Sequence, residues 1–469
     1  MTTPRLRDDL GLALHYDDRT AYGSGVTGLL DRLLQRSTRA IAAVAAERGI
    51  EAVQAQAPAW MPTVMGPKGL GSLYAREGAL REEVLYPDVA RVTPATLGLY
   101  GLGDDGQGTA TIPLEPALVP ELGRWIGDFA RGSARPSAPA AARLWDALDA
   151  RGALARASSP GCALKDGVTF VGHACVAFAR RGARIVFDPF LLPPSPQDPA
   201  GMRPLTAAEL APDAVFITHA HPDHFDVATL MRLGVDTPIY VPAVARETLL
   251  ATDMVYRLRE LGFTQVHALR WYQEVTIGPF RVIALPFYGE QPTDGEILHP
   301  EARNLGNTYV VECEGQRHAL VADAGRDAAG DTIELAAEAR RRFGTIDALF
   351  GGYRAWRLQP LQYLLTSVAR YLLFVPRDQW TRWQQIMNDA GDLVATAEAW
   401  GARAVVPYAN GGAPWYARIG LGPHGDPERP DDPDFDPGLD AVAAAIERRA
   451  SGVRMQAMAC GEHRPFQGA

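Results

Sequence analysis

Several things are missing from this chain. Cysteine is rare, with four in 469 residues, and Cys162, Cys175, Cys313 and Cys460 stand far apart with no C-x-x-C pair. That excludes a disulfide scaffold and reads as reduced thiols in a cytoplasmic protein. No run of about 18 or more apolar residues occurs, so no membrane-spanning helix is expected. The opening stretch from Met1 to Asp9 is polar and lacks the character of a secretion signal. Positive charge is in deficit: 46 Lys and Arg against 55 Asp and Glu give a net charge of −9. Phosphate backbones need a basic surface, so nucleic acid is not the expected main ligand. No internal repeat is visible. The remaining composition, 47% apolar and 22% charged, is that of a globular protein long enough for two domains.

Against this background one stretch stands out, Thr218-His219-Ala220-His221-Pro222-Asp223-His224-Phe225-Asp226. It follows a strand-like apolar run, Ala214 to Ile217, and precedes a helical pattern that Asp226 can cap. The pattern is H-x-H-x-D-H, four metal-binding side chains within six residues on a loop at a strand end. His219 and His221 can grip one ion, while Asp223 and His224, further round the turn, can grip a second. Imidazole and carboxylate ligands suit zinc, iron or manganese.

The motif and the strands before it resemble the metallo-β-lactamase-fold superfamily, over roughly residues 166–424. The resemblance implies an α/β fold, an αββα sandwich with two metals at one edge. Most members are zinc hydrolases and a minority handle oxygen at two irons. It also implies that Asp188, in Asp188-Pro189, supports the metal loop from beneath. His173, in Gly172-His173, stands where related sequences often carry a histidine. Asp323, which ends the apolar run after His318, matches the metal-bridging aspartate.

The third ligand of the zinc hydrolases is a histidine at about the place of Leu285-Pro286-Phe287-Tyr288-Gly289-Glu290. Here the place is held by Glu290; His299 is the other candidate. A carboxylate adds charge and oxygen donation, which favours oxidised iron. This segment resembles the diiron β-hydroxylases, the enzyme type of chloramphenicol biosynthesis. Those join an N-terminal accessory domain to a metallo-β-lactamase-fold domain and hydroxylate a carrier-tethered amino acid. The superfamily's late histidine is missing after Ala404–Pro407. His424 is the first candidate for that last ligand, and Tyr408 is the alternative.

The expected architecture is therefore an α-rich N-terminal domain over residues 1–164 and a catalytic domain over 165–469. Helices are expected at Leu29–Arg48, Leu118–Arg131 and Ala140–Arg151, with irregular chain at 58–71 and a turn within 100–111. The N-terminal part binds a partner, covers the site, or packs on the catalytic domain. In the catalytic domain, Thr206-Ala-Ala-Glu209 is a capping box, and helices are expected at Asp226–Leu233 and Ala245–Leu261. Tyr353 to Trp383 forms an aromatic-rich helical insertion, either core or the wall of a substrate channel.

The functional expectation is a dinuclear non-heme iron oxygenase of specialised metabolism, a monooxygenase acting on an amino-acid-like, free or carrier-bound substrate. His219, His221 and Glu290 are expected to hold one iron, and Asp223, His224 and His424 the other. Asp323 bridges, and Glu290 and Asp323 are the residues on which the chemistry depends. O2 is the co-substrate and an external donor supplies electrons. The alternative is a binuclear zinc hydrolase of an ester, lactone or phosphodiester, in which the metals activate a bridging water. A metal-free binding protein is disfavoured by the intact motif.

Overall fold

The computed structural model describes residues 3–16, 80–86, 93–103, 108–157, 160–191, 205–293, 302–354, 357–365, 368–409 and 438–466, with positions 52, 73 and 295. The expected helix at Leu29–Arg48, the segment 58–71, Asp104, Asp105, His299, Trp356 and His424 lie outside the described residues.

Two seven-stranded sheets pack face to face. The first runs, edge to edge, Val266–Leu269, Ile239–Pro242, Ala214–Phe216, Ala183–Phe187, Cys175–Arg180, Gly167–Gly172 and His463–Arg464. The second runs Glu274–Ile277, Phe280–Pro286, Asn307–Cys313, Gln316–Leu320, Ala348–Gly351, Ala404–Pro407 and Arg454–Met455. Side chains alternate between the faces of a strand, so a strand covered on both sides reads as a continuous apolar run. In the strand leading to the metal loop, Ala214 and Phe216 enter the core between the sheets. Val215 and Ile217 enter the outer core beneath helices. The second sheet divides likewise: Val282 and Ala284 face inward, whereas Ile283 and Leu285 face the helices Thr332–Phe343, Ala390–Trp400 and Leu439–Arg448. The result is the αββα sandwich.

The N-terminal residues complete the outer layer over the first sheet. The helices Leu122–Arg131 and Pro139–Asp149 bring Leu122, Ile126, Phe129, Leu144, Trp145 and Leu148 into one core with Val215, Ile217, Leu230 and Met231. Strands that were not assigned from the sequence join them. Pro4–Leu6 pairs with Leu154–Arg156, and Gly11–Tyr16, Pro94–Leu102 and Gly108–Pro113 form a three-stranded sheet. The expected turn at 100–111 falls between two strands that pair antiparallel, Pro94–Leu102 and Gly108–Pro113, and its central residues lie outside the described ones.

Helix ends follow local chemistry. Leu118–Arg131 is shorter than expected: Pro116–Glu121 is a 3-10 turn with Pro120 inside it, and the α-helix starts at Leu122. Proline has no N–H for an i→i−4 bond. Ala245–Leu261 shrinks to Met254–Glu260. Ahead of it, Thr248 Oγ1 accepts from the Leu250 and Ala251 N–H groups, and Glu247 accepts from Asp253 N. Such side-chain bonds offer the backbone an alternative to helix. The aromatic insertion is a series of short 3-10 turns, at Pro360–Leu365, Ala369–Phe374 and Arg377–Gln379. Tyr363, Tyr371 and Trp380 are buried there among Leu249, Leu250 and Leu361. Among the described residues no helix is long and apolar enough to cross a membrane.

Candidate metal centre

All the described candidate ligands collect at one end of the sandwich, where strands of both sheets finish. The metal loop is fixed first by Asp188. This residue is fully buried, with φ +40°, and its carboxylate accepts from Thr218 N at 2.7 Å and Thr218 Oγ1 at 2.6 Å. The same carboxylate lies 2.8 Å from His224 Nδ1. Thr218 Oγ1 in turn lies 3.0 Å from His219 Nδ1. The loop then closes on itself, with the His224 and Phe225 N–H groups donating to the His221 carbonyl. Asp226 caps the following helix, accepting from Ala228 N and Thr229 N.

Glu290 comes from the other sheet, after the strand Phe280–Pro286. Its Oε2 lies 3.0 Å from His219 Nε2 and 2.6 Å from His221 Nδ1, and those two nitrogens are 3.1 Å apart. Glu290 has φ +49° and donates its N–H to Ile386 O at 2.6 Å. Gly289 before it has φ +91°, and a Cβ there would lie 2.6 Å from Gly325 N and 2.7 Å from Ile386 O. Only glycine fits so close an approach of three backbones.

Asp323 follows the strand Gln316–Leu320 and Ala322, whose φ is +47°. Its Oδ2 lies 3.3 Å from His224 Nε2. Its Oδ1 faces Gly352, where a Cβ would stand 3.1 Å away. His219, His224 and Asp323 form one set of three donor atoms, all within 4.8 Å of one another, and His219, His221 and Glu290 form another. Asp223 is joined by His173, whose Nε2 is 2.9 Å from Asp223 Oδ2.

Tyr408, the alternative for the last ligand, is buried in the core between the sheets, and its hydroxyl accepts from Ala322 N at 3.0 Å. It shores up the backbone beside Asp323. His318 lies within the same interior, its ring centroid 5.5 Å from that of Phe178. His267 stacks on Tyr240 in the edge strand, centroids 5.1 Å apart. One contact was not foreseen: the Tyr371 hydroxyl lies 2.9 Å from His221 Nε2. The aromatic insertion is thus core at Tyr363 and Trp380, while Tyr371 reaches the centre.

The electrostatics are those of crowded opposite charges. Burial opposes ionisation of every group, and neighbours decide each direction. Burial, then His224 and His221, lower the His219 pKa. For His221 burial also acts downward, but Glu290 and Asp223 outweigh it and the net shift is upward. His224 stands well above its usual value because Asp323, Asp223 and Asp188 outweigh burial. Glu290 and Asp223 are pushed up by burial yet lie well below the usual carboxylate range, held by His221 and His219 in one case and by His224 and His173 in the other. A cation would replace the protons that otherwise offset these carboxylates.

The donor set fits such cations. Asp323 Oδ1 is buried with no hydrogen-bond partner among the described residues, and an orphaned buried carboxylate oxygen calls for a partner. The ring nitrogens of His219, His221 and His224 turned away from Glu290 and Asp323 are each within reach of an oxygen, on Thr218, Tyr371 and Asp188 respectively. Partners of this kind orient metal-binding imidazoles.

A sandwich with this centre at one edge is a metallo-β-lactamase fold, and residues 183–408 match the model of the beta-lactamase superfamily domain. The chain is a metallo-β-lactamase-fold protein resembling the diiron β-hydroxylases. It is 29% identical over 231 residues to a Streptomyces venezuelae 3-hydroxylase of 4-amino-L-phenylalanyl CmlP peptidyl-carrier protein, an alignment covering 47% of this chain and 41% of the relative. The aligned part is therefore less than half of that relative. A UPF0173 protein of Pyrococcus furiosus is 26% identical over 179 residues, covering 36% of this chain and 75% of the relative. Among solved structures, CmlA, a diiron β-hydroxylase from Streptomyces venezuelae, superposes with a TM-score of 0.60. It is 16% identical and covers 97% of this chain and 98% of its own. At that identity the likeness speaks for the fold.

Proposed function

We propose that the protein is a dinuclear non-heme iron oxygenase that hydroxylates, or otherwise oxidises, an amino-acid-like substrate, free or tethered to a carrier protein. The observation that carries this reading is Glu290 Oε2 between His219 Nε2 and His221 Nδ1. The hydroxylase relative, which acts on a carrier-bound amino acid, supports the substrate class.

In this reading His219, His221 and Glu290 would hold one iron, Asp223 and His224 would hold the second, and the Asp323 carboxylate would serve both. Bound iron, reduced by an external donor, supplies O2 activation for the oxidation. The chain's own residues do the rest. Three carboxylates, Glu290, Asp223 and Asp323, concentrate negative charge that stabilises the higher oxidation state. Asp188, Thr218 and Tyr371 fix the three imidazoles. Phe287, stacked on His219 with centroids 4.9 Å apart, and the buried Tyr371 exclude water from one side.

Metal analysis and O2 consumption test the reading together. Protein made in iron-supplemented medium is expected to carry two metal ions per chain, iron above zinc, and to consume O2 when chemically reduced. Glu290→Ala should lower metal occupancy. Glu290→His should keep metal, move the balance towards zinc and abolish O2 consumption. A stable zinc pair with esterase, lactonase or phosphodiesterase activity would replace the oxygenase with the hydrolase. Wild-type iron content and O2 consumption in both variants would remove Glu290 from the site.

A further inference from the structure

Among the described residues, the second metal position has few protein donors. Asp223, His224 and the shared Asp323 serve it, and the expected late histidine, His424, lies outside the described residues. The geometry supplies another histidine from the opposite end of the domain's sequence. His173 occupies the turn between the strands Gly167–Gly172 and Cys175–Arg180. Its backbone is left-handed, with φ +54°, a conformation that L residues rarely adopt and that clusters at functional sites. The turn is tied to the end of the strand Ala404–Pro407 by a bond from Ala409 N to His173 O, 3.1 Å. So held, the ring is 1% exposed and lies with its centroid 4.9 Å from that of His224.

The donor atoms of His173, Asp223 and His224 all lie within 4.8 Å of one another. His173 Nε2 is 2.9 Å from Asp223 Oδ2, and that oxygen is 3.9 Å from His224 Nε2. Ligands about 2.1 Å from one ion lie about 3.4 Å apart at the corners of a tetrahedron, and the two spacings stand within about 0.5 Å of that value on either side. We propose that His173 is a ligand of the second metal ion, binding a divalent transition metal through Nε2 beside Asp223 and His224. This rests on the two-metal reading above. The simpler alternative is that His173 only donates a hydrogen bond to Asp223 and positions it.

Cobalt(II) separates the two. Full-length protein, freed of metal, is titrated with cobalt(II). Stoichiometry is followed by visible absorption, and the strongly shifted exchangeable imidazole N–H signals are counted by paramagnetic proton NMR. Wild type should bind two ions per chain. His173→Gln keeps an amide donor near Asp223 but no imidazole; it should bind one ion as before, bind the second more than tenfold more weakly, and show one shifted N–H signal fewer. His173→Asn, which tolerates the left-handed backbone, serves as the second variant, with thermal melting of the metal-free protein checking its fold. Two ions and an unchanged set of shifted signals in both variants would overturn the assignment of His173 alone. Fewer than two ions in wild type would overturn the two-metal reading, and this proposal with it.

Discussion

His318 sits between the sheets with both ring nitrogens buried and without a hydrogen-bond partner among the described residues. Its ring centroid lies 6.2 Å from those of Phe350 and Phe466. Burial lowers its pKa from 6.5 to about 4. Between those values the unfolded chain binds a proton that the folded chain refuses, so stability is complete above about pH 6.5 and is lost as pH falls towards 4. The loss amounts to about 3 kcal/mol at full extent. His318→Leu should remove this contribution and flatten the melting temperature between pH 6.5 and pH 4. An unchanged acid slope in that variant would place the acid sensitivity elsewhere, for instance in His219 or His463, whose pKa values are also lowered by burial. Alternating with core-facing residues, His318 reads as structural from the sequence, and it packs as such.

At the scale of elements, capping was legible because it is local. Asp226 was expected to open a helix, and it accepts from Ala228 N, Thr229 N and Thr229 Oγ1. Asp226→Ala should cost about 1–2 kcal/mol in denaturant unfolding and leave metal content at saturating metal unchanged. The Thr206–Glu209 box is also present, each side chain accepting from the other residue's backbone. Legibility failed where side chains competed with the helix, as at Glu247 and Thr248. It failed again in the aromatic insertion, where spacing alone could not separate helix from successive 3-10 turns. It also failed for the strap Gln384–Asn388. Ile386 O accepts from Glu290 N and Asn388 N donates to Ala324 O, so this strap joins the loops carrying Glu290 and Asp323.

At the scale of the whole molecule, we propose the division near Leu164 as a division of chemistry, with every described candidate ligand after it. The core is continuous across it. Leu122, Ile126, Phe129, Trp145 and Leu148 cover Val215, Ile217, Leu230 and Met231, the strand and helix on either side of the metal loop. A chain beginning at about residue 160 keeps those ligands but bares that face. It should express largely as aggregate and melt well below the full chain, with any folded fraction still binding metal. A truncated protein with undiminished solubility and melting temperature would show that this layer only rests on the sheet.

The sequence by itself determined what depends on neighbours along the chain: the strand into the loop, the H-x-H-x-D-H spacing and the cap after it. It also placed Glu290 where a third ligand belongs, through resemblance. Tertiary structure decided which atoms meet. His173 and Asp223 are 50 residues apart, and His221 and Tyr371 are 150 apart; no periodicity links them. They meet because the order of strands in two sheets brings their ends to one edge. Left-handed residues there, His173, Asp188, Glu290 and Ala322, turn the chain sharply enough to aim side chains inward. That strain is local, but the packing that sustains it comes from both sheets at once, so it has no signature in any one stretch of sequence.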